Sequence, residues 1–563
     1  MDNLSIAKLL MEAADALEYL DEPFKARAYR KAAASVADAS IPLAEFAAAG
    51  KLTELDGIGK GLETLLTDWV VKADFSALQG LRARLPAGIS EIRKVPGLGR
   101  SKIKALHALG VETLEDLALA CDTGRLLSLK GFTPRHIGRM RRAVDDILAY
   151  RGRCLLDEGL SQAHYLLALM SNAGIEAALT GECRRGYETL SGVDILLKES
   201  PSSMAALDRI MGEADIMTER TLTYLRERSI PVTCHIAPGD AFAASLFLTT
   251  GSRAHTGRIA SLARAHGLDI RPEGLFAAGN RVSLPDEQAL YALLGLSYIP
   301  PELREEGGRE VDLAGRGALP ELINASDIIG TIHNHTTYSD GKSSLKELVM
   351  SARELGYAWI GISDHSVSAR YAGGMNLKAV RRQQAEIESL RAEAGIAVLG
   401  GVECDIQRDG SLDYPDEVLA TFDFVIASIH THMDMDAAAM TGRIITALKN
   451  PRTSILAHPT GRLLLARQAY ELDIDAVLEE AIKQRVVVEL NAHPWRLDLD
   501  WRLIERFTDA GGLIAISPDA HECAGLSDMR YGIMMARKGM LTAARCLNAF
   551  DLERARQVLR RCA

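Results

Sequence analysis

The strongest constraint on this chain is a series of short apolar runs that each end in residues suited to binding metal ions. The first, Ile328-Ile329-Gly330-Thr331-Ile332, ends in His333 and His335, with Asp340 five residues further on. In a strand, residues i and i+2 point to the same face, so this spacing predicts two imidazoles converging on one point. One such pair would be unremarkable. Repetition makes it a pattern: Trp359–Ser363 runs into Asp364-His365, Ala397–Val402 into Glu403, and Phe424–Ile429 into His430 and His432. Ser454–Ala457 then runs into His458, and Leu513–Ser517 into Asp519 and His521. A further run, Val486–Asn491, ends in polar groups that need not touch a metal. Helix-period segments such as Leu345–Leu355 and Ala476–Lys483 lie between the runs. Alternating strands and helices predict a parallel sheet, here closed into a barrel of about seven units. Barrels of this kind carry their chemistry at the C-terminal strand ends, where all the candidate ligands fall.

The rest of the chain has room for more than this barrel. A length of 563 residues predicts about three to five domains. Hydrophobic content of 47% and charged content of 25% are ordinary for a globular chain in water. No apolar stretch approaches the ~20 residues needed to cross a bilayer, and no signal peptide precedes the first helix. Eight cysteines without a C-x-x-C pair predict reduced thiols and a cytoplasmic location. A net charge of −10 excludes wholesale binding of polyanions but leaves local basic surfaces open.

One such surface is expected near the amino terminus. Leu4–Ala37 is helical by period, with Leu9, Ala13, Leu17 and Leu20 on one stripe and Lys25, Arg27, Arg30 and Lys31 following. Next comes Leu55-Asp56-Gly57-Ile58-Gly59-Lys60-Gly61, and forty residues later Val95-Pro96-Gly97-Leu98-Gly99-Arg100-Ser101-Lys102. Each reads as helix, Gly-x-Gly hairpin, helix. The glycines permit a tight turn, and N–H groups at the start of the second helix suit a phosphate oxygen. Gly57, Gly59, Lys60, Gly97, Gly99, Arg100 and Lys102 are the expected DNA-backbone contacts. A third copy around Gly131 is degenerate. Residues 91–153 hold thirteen Lys/Arg against seven Asp/Glu, which predicts binding to DNA irrespective of its sequence.

Three further stretches carry a resemblance: Gly181-Glu182-Cys183-Arg184-Arg185-Gly186 before Val193-Asp194-Ile195, Thr250-Gly251-Ser252-Arg253, and Leu294-Gly295-Leu296-Ser297-Tyr298. With the hairpins and the histidine-rich barrel, the chain resembles the bacterial family-X DNA polymerases. In that family a polymerase-beta-like core is fused to a C-terminal PHP (polymerase and histidinol phosphatase) domain. The resemblance implies a multidomain α and α/β protein. Its parts would be a helical lyase-like domain over 1–85, a helix-hairpin-helix fingers-like domain over 86–153 and a nucleotidyltransferase palm-like domain over 154–240. A thumb-like domain over 241–303, a linker over 304–325 and a (β/α)7 PHP barrel over 326–563 would follow.

Departures from the family pattern set further expectations. The polymerase needs three aspartates for two Mg²⁺ ions; the second falls on Asp194, but the first falls on Gly192 and the third on Thr233. Glu182 stands where a serine would help bind triphosphate, leaving Arg184 and Arg185 as the remaining triphosphate contacts. The lysine of lyase-active relatives falls on Leu65. Mg²⁺ binding at the core, polymerisation and lyase activity are therefore expected to be absent or very weak.

The barrel keeps its set. The resemblance implies that His333, His335, Glu403 and Asp519 hold one ion, that Glu403 bridges to a second held by His430 and His458, and that Asp340, His365 and His521 hold a third. Imidazole with carboxylate suits Mn²⁺, Zn²⁺ or Fe²⁺. Glu403, Asp364, Asp519 and His521 form the expected catalytic group, with Asp364 orienting a ligand. His432, His493 and Arg462 match no ligand position. The function implied is a metal-dependent 3′→5′ exonuclease acting on gapped DNA or DNA with 3′ ends. The alternatives are a polymerase retaining gap filling, a non-catalytic gap- or end-binding protein, and a small-molecule phosphomonoesterase.

Overall fold

The computed structural model describes residues 3–559 apart from 38, 40, 73–74, 86–87, 94, 96 and 226–229. Pro96 of the second hairpin motif therefore lies outside the described residues. Two compact units are present, one within residues 1–152 and the other beginning at residue 153.

The described part of the first unit is helical. Helices Asn3–Tyr19 and Pro23–Ala37 pack over Ile6, Leu10, Ala13, Ala32, Ala33 and Val36. Ile58, Leu62, Leu66 and Trp69 complete that core, and a separate core runs from Ile89 to Val144. All three Gly hairpins share one turn. Leu55 O accepts from Ile58 N, Val95 O from Leu98 N, and Leu129 O from Phe132 N. In each turn the third residue is a left-handed glycine: Gly57 at φ +80°, Gly97 at +79° and Gly131 at +87°. A type II turn requires positive φ there, and glycine supplies it without steric cost. The residue after each glycine (Ile58, Leu98 or Phe132) is buried as an anchor. The hairpin at Gly131, degenerate by sequence, has the same hydrogen bond and the same left-handed glycine as the other two.

The second unit begins with a five-stranded sheet in the order Ala177–Thr180, Val193–Lys198, Val232–Ala237, Thr221–Tyr224, Ile216–Met217. Only the pair Val193–Lys198 and Val232–Ala237 is parallel. Leu160, Leu166 and Met170 of helix Leu156–Asn172 cluster with Ile195 and Leu197 of this sheet. A second core gathers Phe247, Ile259, Leu275, Leu290 and Tyr291. Val311, Ala314 and Leu322 join it, so residues 304–325, expected as a linker, are packed chain that includes helix Arg309–Gly315. Arg304 is fully buried, with its guanidinium 5.3 Å from the rings of both Tyr291 and Tyr298 and bonded to Glu287.

Seven parallel strands follow in chain order: Gly330–Thr331, Trp359–Ile362, Ala397–Asp405, Phe424–Ser428, Ile455–Leu456, Val487–Asn491 and Ile514–Ser517. Asn548 closes the barrel between the first and last strands. Its amide donates to Gly330 O and Ile516 O, and its carbonyl accepts from Ile516 N. The pleat sorts each strand by parity. Leu399, Phe424, Ile426, Ile455, Val487 and Ala515 fill the barrel with Trp359, while Val402, Val425, Leu456, Val488 and Ile516 pack outside it. Large rings inside need missing side chains opposite: a Cβ on Gly330 would lie 1.8 Å from the Trp359 ring, and one on Gly401 2.4 Å from Phe424.

The barrel and the five-stranded module are joined by polar contacts. Arg502 donates to Glu188 at 2.9 Å and to the Tyr187 hydroxyl at 3.1 Å. Lys538, its side chain fully buried, donates to Arg185 O, Glu302 O and the Glu305 carboxylate. Nearby, burial pushes the Asp528 carboxyl up to about 7, with Asp157 adding to the effect and Arg530 opposing it. A carboxyl raised in the folded state favours folding while protonated, and that contribution is lost as pH rises from the ordinary carboxylate range through 7. Asp528→Asn should therefore stabilise the protein by about 1–2 kcal/mol at pH 8, after discounting for partial exposure. The gain should vanish near pH 4, read as the difference between variant and parent in denaturant melts at the two pH values.

Candidate metal centre

Parity brings several groups to the open end of the barrel without further help. Along the third strand, Leu399, Gly401, Glu403 and Asp405 share the inner face, and along the sixth Val487, Glu489 and Asn491 do so. His333 and His458 arrive differently. Each directly follows an inward residue, Ile332 or Ala457, so pleat alternation alone would send it outward. Each instead takes a left-handed backbone, at φ +64° and +26°, which turns the ring inward. The first strand ends at Thr331, so the i, i+2 argument for His333 and His335 does not describe how they converge. Asp519 is left-handed as well, at φ +52°. Such backbone strain costs on the order of 1–3 kcal/mol per residue and persists where the surroundings fix it.

The nine candidate ligands come together around Glu403, which is 1% exposed. Its Oε1 lies 3.0 Å from His458 Nε2, 3.2 Å from His430 Nε2 and 3.4 Å from His333 Nε2, and its Oε2 is 2.8 Å from His365 Nδ1. His335 Nε2 is 3.2 Å from Asp519 Oδ1, which is also 3.6 Å from His333 Nε2. Asp340 Oδ1 lies 3.4 Å from His521 Nε2 and 3.7 Å from His365 Nε2. Four groups have ligand atoms close enough to share an ion. These are His333/Glu403/His458, His365/Glu403/His430, His333/His335/Asp519 and His335/Asp340/His365/His521. The sequence-based partition differs in several respects: His458 groups with His333 rather than with His430, His335 and His365 are each shared with the Asp340/His521 group, and Glu403 groups apart from His335 and Asp519. Buried atoms without a hydrogen-bond partner include His333 Nε2, both ring nitrogens of His335, His365 Nδ1 and Glu403 Oε2. Orphaned lone pairs on imidazole and carboxylate aimed at common points fit divalent cations.

Electrostatics reinforce this. Burial would raise Glu403, but His365, His430 and His333 hold it well below the usual carboxylate range. Asp519 is held low in the same way by His333 and His335. Burial beside His365 and His521 depresses His335 to about 3, keeping that ring neutral and able to donate a lone pair.

Asp405 and Glu489, which sequence reading missed, are part of the site. Glu489 lies 2.5 Å from His333 Nδ1 and accepts from His458 N, while Asp405 lies 2.5 Å from His430 Nδ1. Each fixes the tautomer that presents Nε2 to the centre. The available signal was parity, since both stand two residues from another inward polar group on a strand. Asp364 acts on a loop rather than on a ligand ring. It is buried and accepts from Thr336 N and Oγ1, Ser339 N and Oγ, and Gln383, so it staples the turn between His335 and Asp340. Arg462 points inward to Arg496 O and Asp500, and His432 is exposed.

The five-stranded module holds no comparable cluster among the described residues. Asp194 lies 2.9 Å from His235, and Thr233 faces Thr223. A Cβ on Gly192 would meet Pro231 O at 2.8 Å. Glu182 accepts from Ser191 N and Oγ. Arg184 and Arg185, expected to face a triphosphate, are engaged internally. Arg184 bonds Thr250 and Glu287, and the buried Arg185 bonds Glu305 and Thr250 O. In the first unit, Gly59 and Gly99 start their helices with no side-chain cap, which leaves the first-turn N–H groups open to phosphate. The third hairpin's helix is capped by Thr133. Lys60 is exposed, Arg100 pairs with Asp21, and Lys102 donates to Gly97 O and contacts His136.

Comparison with known proteins matches this layout. Family models described as helix-hairpin-helix domain and SAM-like helix-hairpin-helix tandem match residues 1–74 and 89–146. Those described as DNA polymerase beta thumb and PHP domain match residues 245–305 and 331–493. The chain is 33% identical over 563 residues to "DNA polymerase/3'-5' exonuclease PolX" of Bacillus subtilis (strain 168), covering 96% of each. Over 204 residues it is 26% identical to "Probable phosphatase YcdX" of Escherichia coli (strain K12), covering 34% of this chain and 77% of that one. The hairpin and thumb modules indicate DNA binding.

Removing the outer partners gives a direct test of the centre. Glu489→Gln and Asp405→Asn should each weaken divalent-ion affinity about 10–100-fold while leaving the fold intact, read by calorimetric titration with Mn²⁺.

Proposed function

The chain belongs to the family-X DNA polymerases that carry a C-terminal PHP domain, and we propose that it acts chiefly as a metal-dependent 3′→5′ exonuclease through the barrel, with polymerase and lyase activity absent or very weak. One contrast carries this reading. Four imidazoles surround the single carboxylate of Glu403 in the barrel, whereas Asp194 stands in the core with Gly192 and Thr233 at the positions of its expected partners.

The chain's own groups divide the work. Glu489 and Asp405 hold His333 and His430 with Nε2 inward. Asp364 fixes the turn bearing Asp340. Barrel side chains cover the floor beneath the site and exclude water from that side. Divalent ions held by the nine ligands would supply Lewis acidity to the phosphoryl group and to water. The hairpins with uncapped helix starts grip DNA by its backbone, which suits an enzyme indifferent to sequence. A phosphomonoesterase acting on small molecules leaves those hairpins without a role.

In the core, three features oppose polymerisation. Glu182 puts an anion on the loop where triphosphate would bind, Arg184 and Arg185 are spent on Glu287 and Glu305, and restoring a side chain at Gly192 meets a backbone carbonyl.

The test uses a 5′-labelled primer on a gapped template with Mn²⁺, with and without dNTPs, alongside His333→Ala. Shortened products are expected with either mixture, reduced in the variant by more than the ~100-fold typical of losing an outer partner. Extension by dNTPs would overturn the account of the core. Absence of shortening would overturn the account of the barrel.

A further inference from the structure

Two exposed aromatic residues flank the metal centre and have no part in holding it. Tyr371 lies on the short helical turn Arg370–Ala372 after the second barrel strand and is 68% exposed. Its ring centroid is 6.2 Å from those of both His365 and His430. Trp495 lies in the loop after the sixth strand, is 58% exposed, and packs edge-on against His493 with centroids 5.7 Å apart.

The backbone beneath Trp495 is fixed. Trp495 N is tied to the His493 ring and Trp495 O to Leu464 N. His493 N in turn donates to Asn491, whose amide donates to Asp519 at 3.0 Å. A continuous set of hydrogen bonds thus runs from the indole's backbone to a candidate ligand. Two cations stand near the rings. Arg496, next to Trp495 in the chain and largely buried, is 3.6 Å from Asp519, Arg467 donates to Gly461 O, and both lie within electrostatic reach of Tyr371.

Large apolar rings left in water cost free energy unless something covers them. Beside a phosphodiester-cleaving centre, and interleaved with guanidinium groups, the occupant that satisfies both features is an unpaired strand end. Every base has a π-face, and every linkage has an anion. We infer that Tyr371 and Trp495 form stacking platforms for the bases at a single-stranded 3′ end, within the positive field of Arg496 and Arg467.

This rests on the nuclease reading and adds to it the two side chains that receive the terminal bases, neither of which is among the candidate metal ligands. Stacking of this kind is tolerant of base identity, so the rim selects strand state rather than sequence.

The experiment compares a short single strand bearing ordinary 3′-terminal bases with the same strand ending in abasic residues. Full-length parent, Tyr371→Ala, Trp495→Ala, Tyr371→Phe and Trp495→Phe are assayed with Mn²⁺. The parent should cut the ordinary strand with a KM about 10-fold below that for the abasic one. Each alanine variant should lose most of that preference, largely by raising KM for the ordinary strand, while each phenylalanine variant keeps it. Alanine variants with the parent's preference would overturn the inference while leaving the nuclease standing. Should the parent cut neither strand, the nuclease reading fails. Binding of the same two strands, followed by fluorescence anisotropy, then decides the rim by the same preference and its loss.

Discussion

A buried carboxylate among imidazoles is the interaction on which the barrel half of the protein depends. Glu403 is withdrawn from water and placed within 3.4 Å of nitrogen atoms from four separate loops. An isolated buried charge costs several kcal/mol, so each of those loops must be held in place for the anion to be tolerated. The surrounding structure does so redundantly. Asn548 closes the barrel, Asp364 staples the turn after His335, and Glu489 grips both His333 and the backbone of His458. The left-handed residues His333, His458 and Asp519 fall where this network converges, which is where strained backbone is sustained.

Much of this was legible in the sequence because its signals are local and repeated. Apolar runs ending in His, Asp or Glu gave both the barrel and the residues of its centre, since parallel strands place their C-terminal ends on one side. Asp405 and Glu489 escaped notice because their role is set by contacts with rings 25 and 156 residues away in sequence. Strand parity alone could have flagged them. Parity fails for His333 and His458, whose direction depends on φ, and no residue type advertises a left-handed histidine. The hairpin at Gly131 was undervalued for the opposite reason. Its turn needs only one glycine followed by an apolar anchor, and the Gly-x-Gly pattern asks for more than the geometry does.

The core illustrates which features of a site are visible in a sequence and which only in a structure. Gly192 and Thr233 were readable as missing carboxylates. That Arg184 and Arg185 are committed to Glu287 and Glu305 was not, because an arginine in a motif looks the same whether it faces a ligand or an internal acid. Segment 304–325 was misjudged likewise. The family layout implies a linker there, yet Arg304 lies fully buried beside two tyrosine rings, and Val311 and Ala314 help fill a hydrophobic core.

The contact between Lys538 and the core has an evolutionary corollary. A buried ammonium is tolerable only while its acceptors remain, and those acceptors are Arg185 O, Glu302 O and Glu305, all outside the barrel. Arg502, half-exposed, reaches Glu188 and Tyr187 across the same contact while keeping Asp500 of the barrel as a further acceptor. A gene shortened to its barrel would therefore encode a protein that lays Lys538 and the surface around it open to water until that surface was rebuilt. Single substitutions within the core, such as those at position 192, meet no such obstacle. Selection is thus free to alter the core residue by residue, but faces a barrier to discarding it whole.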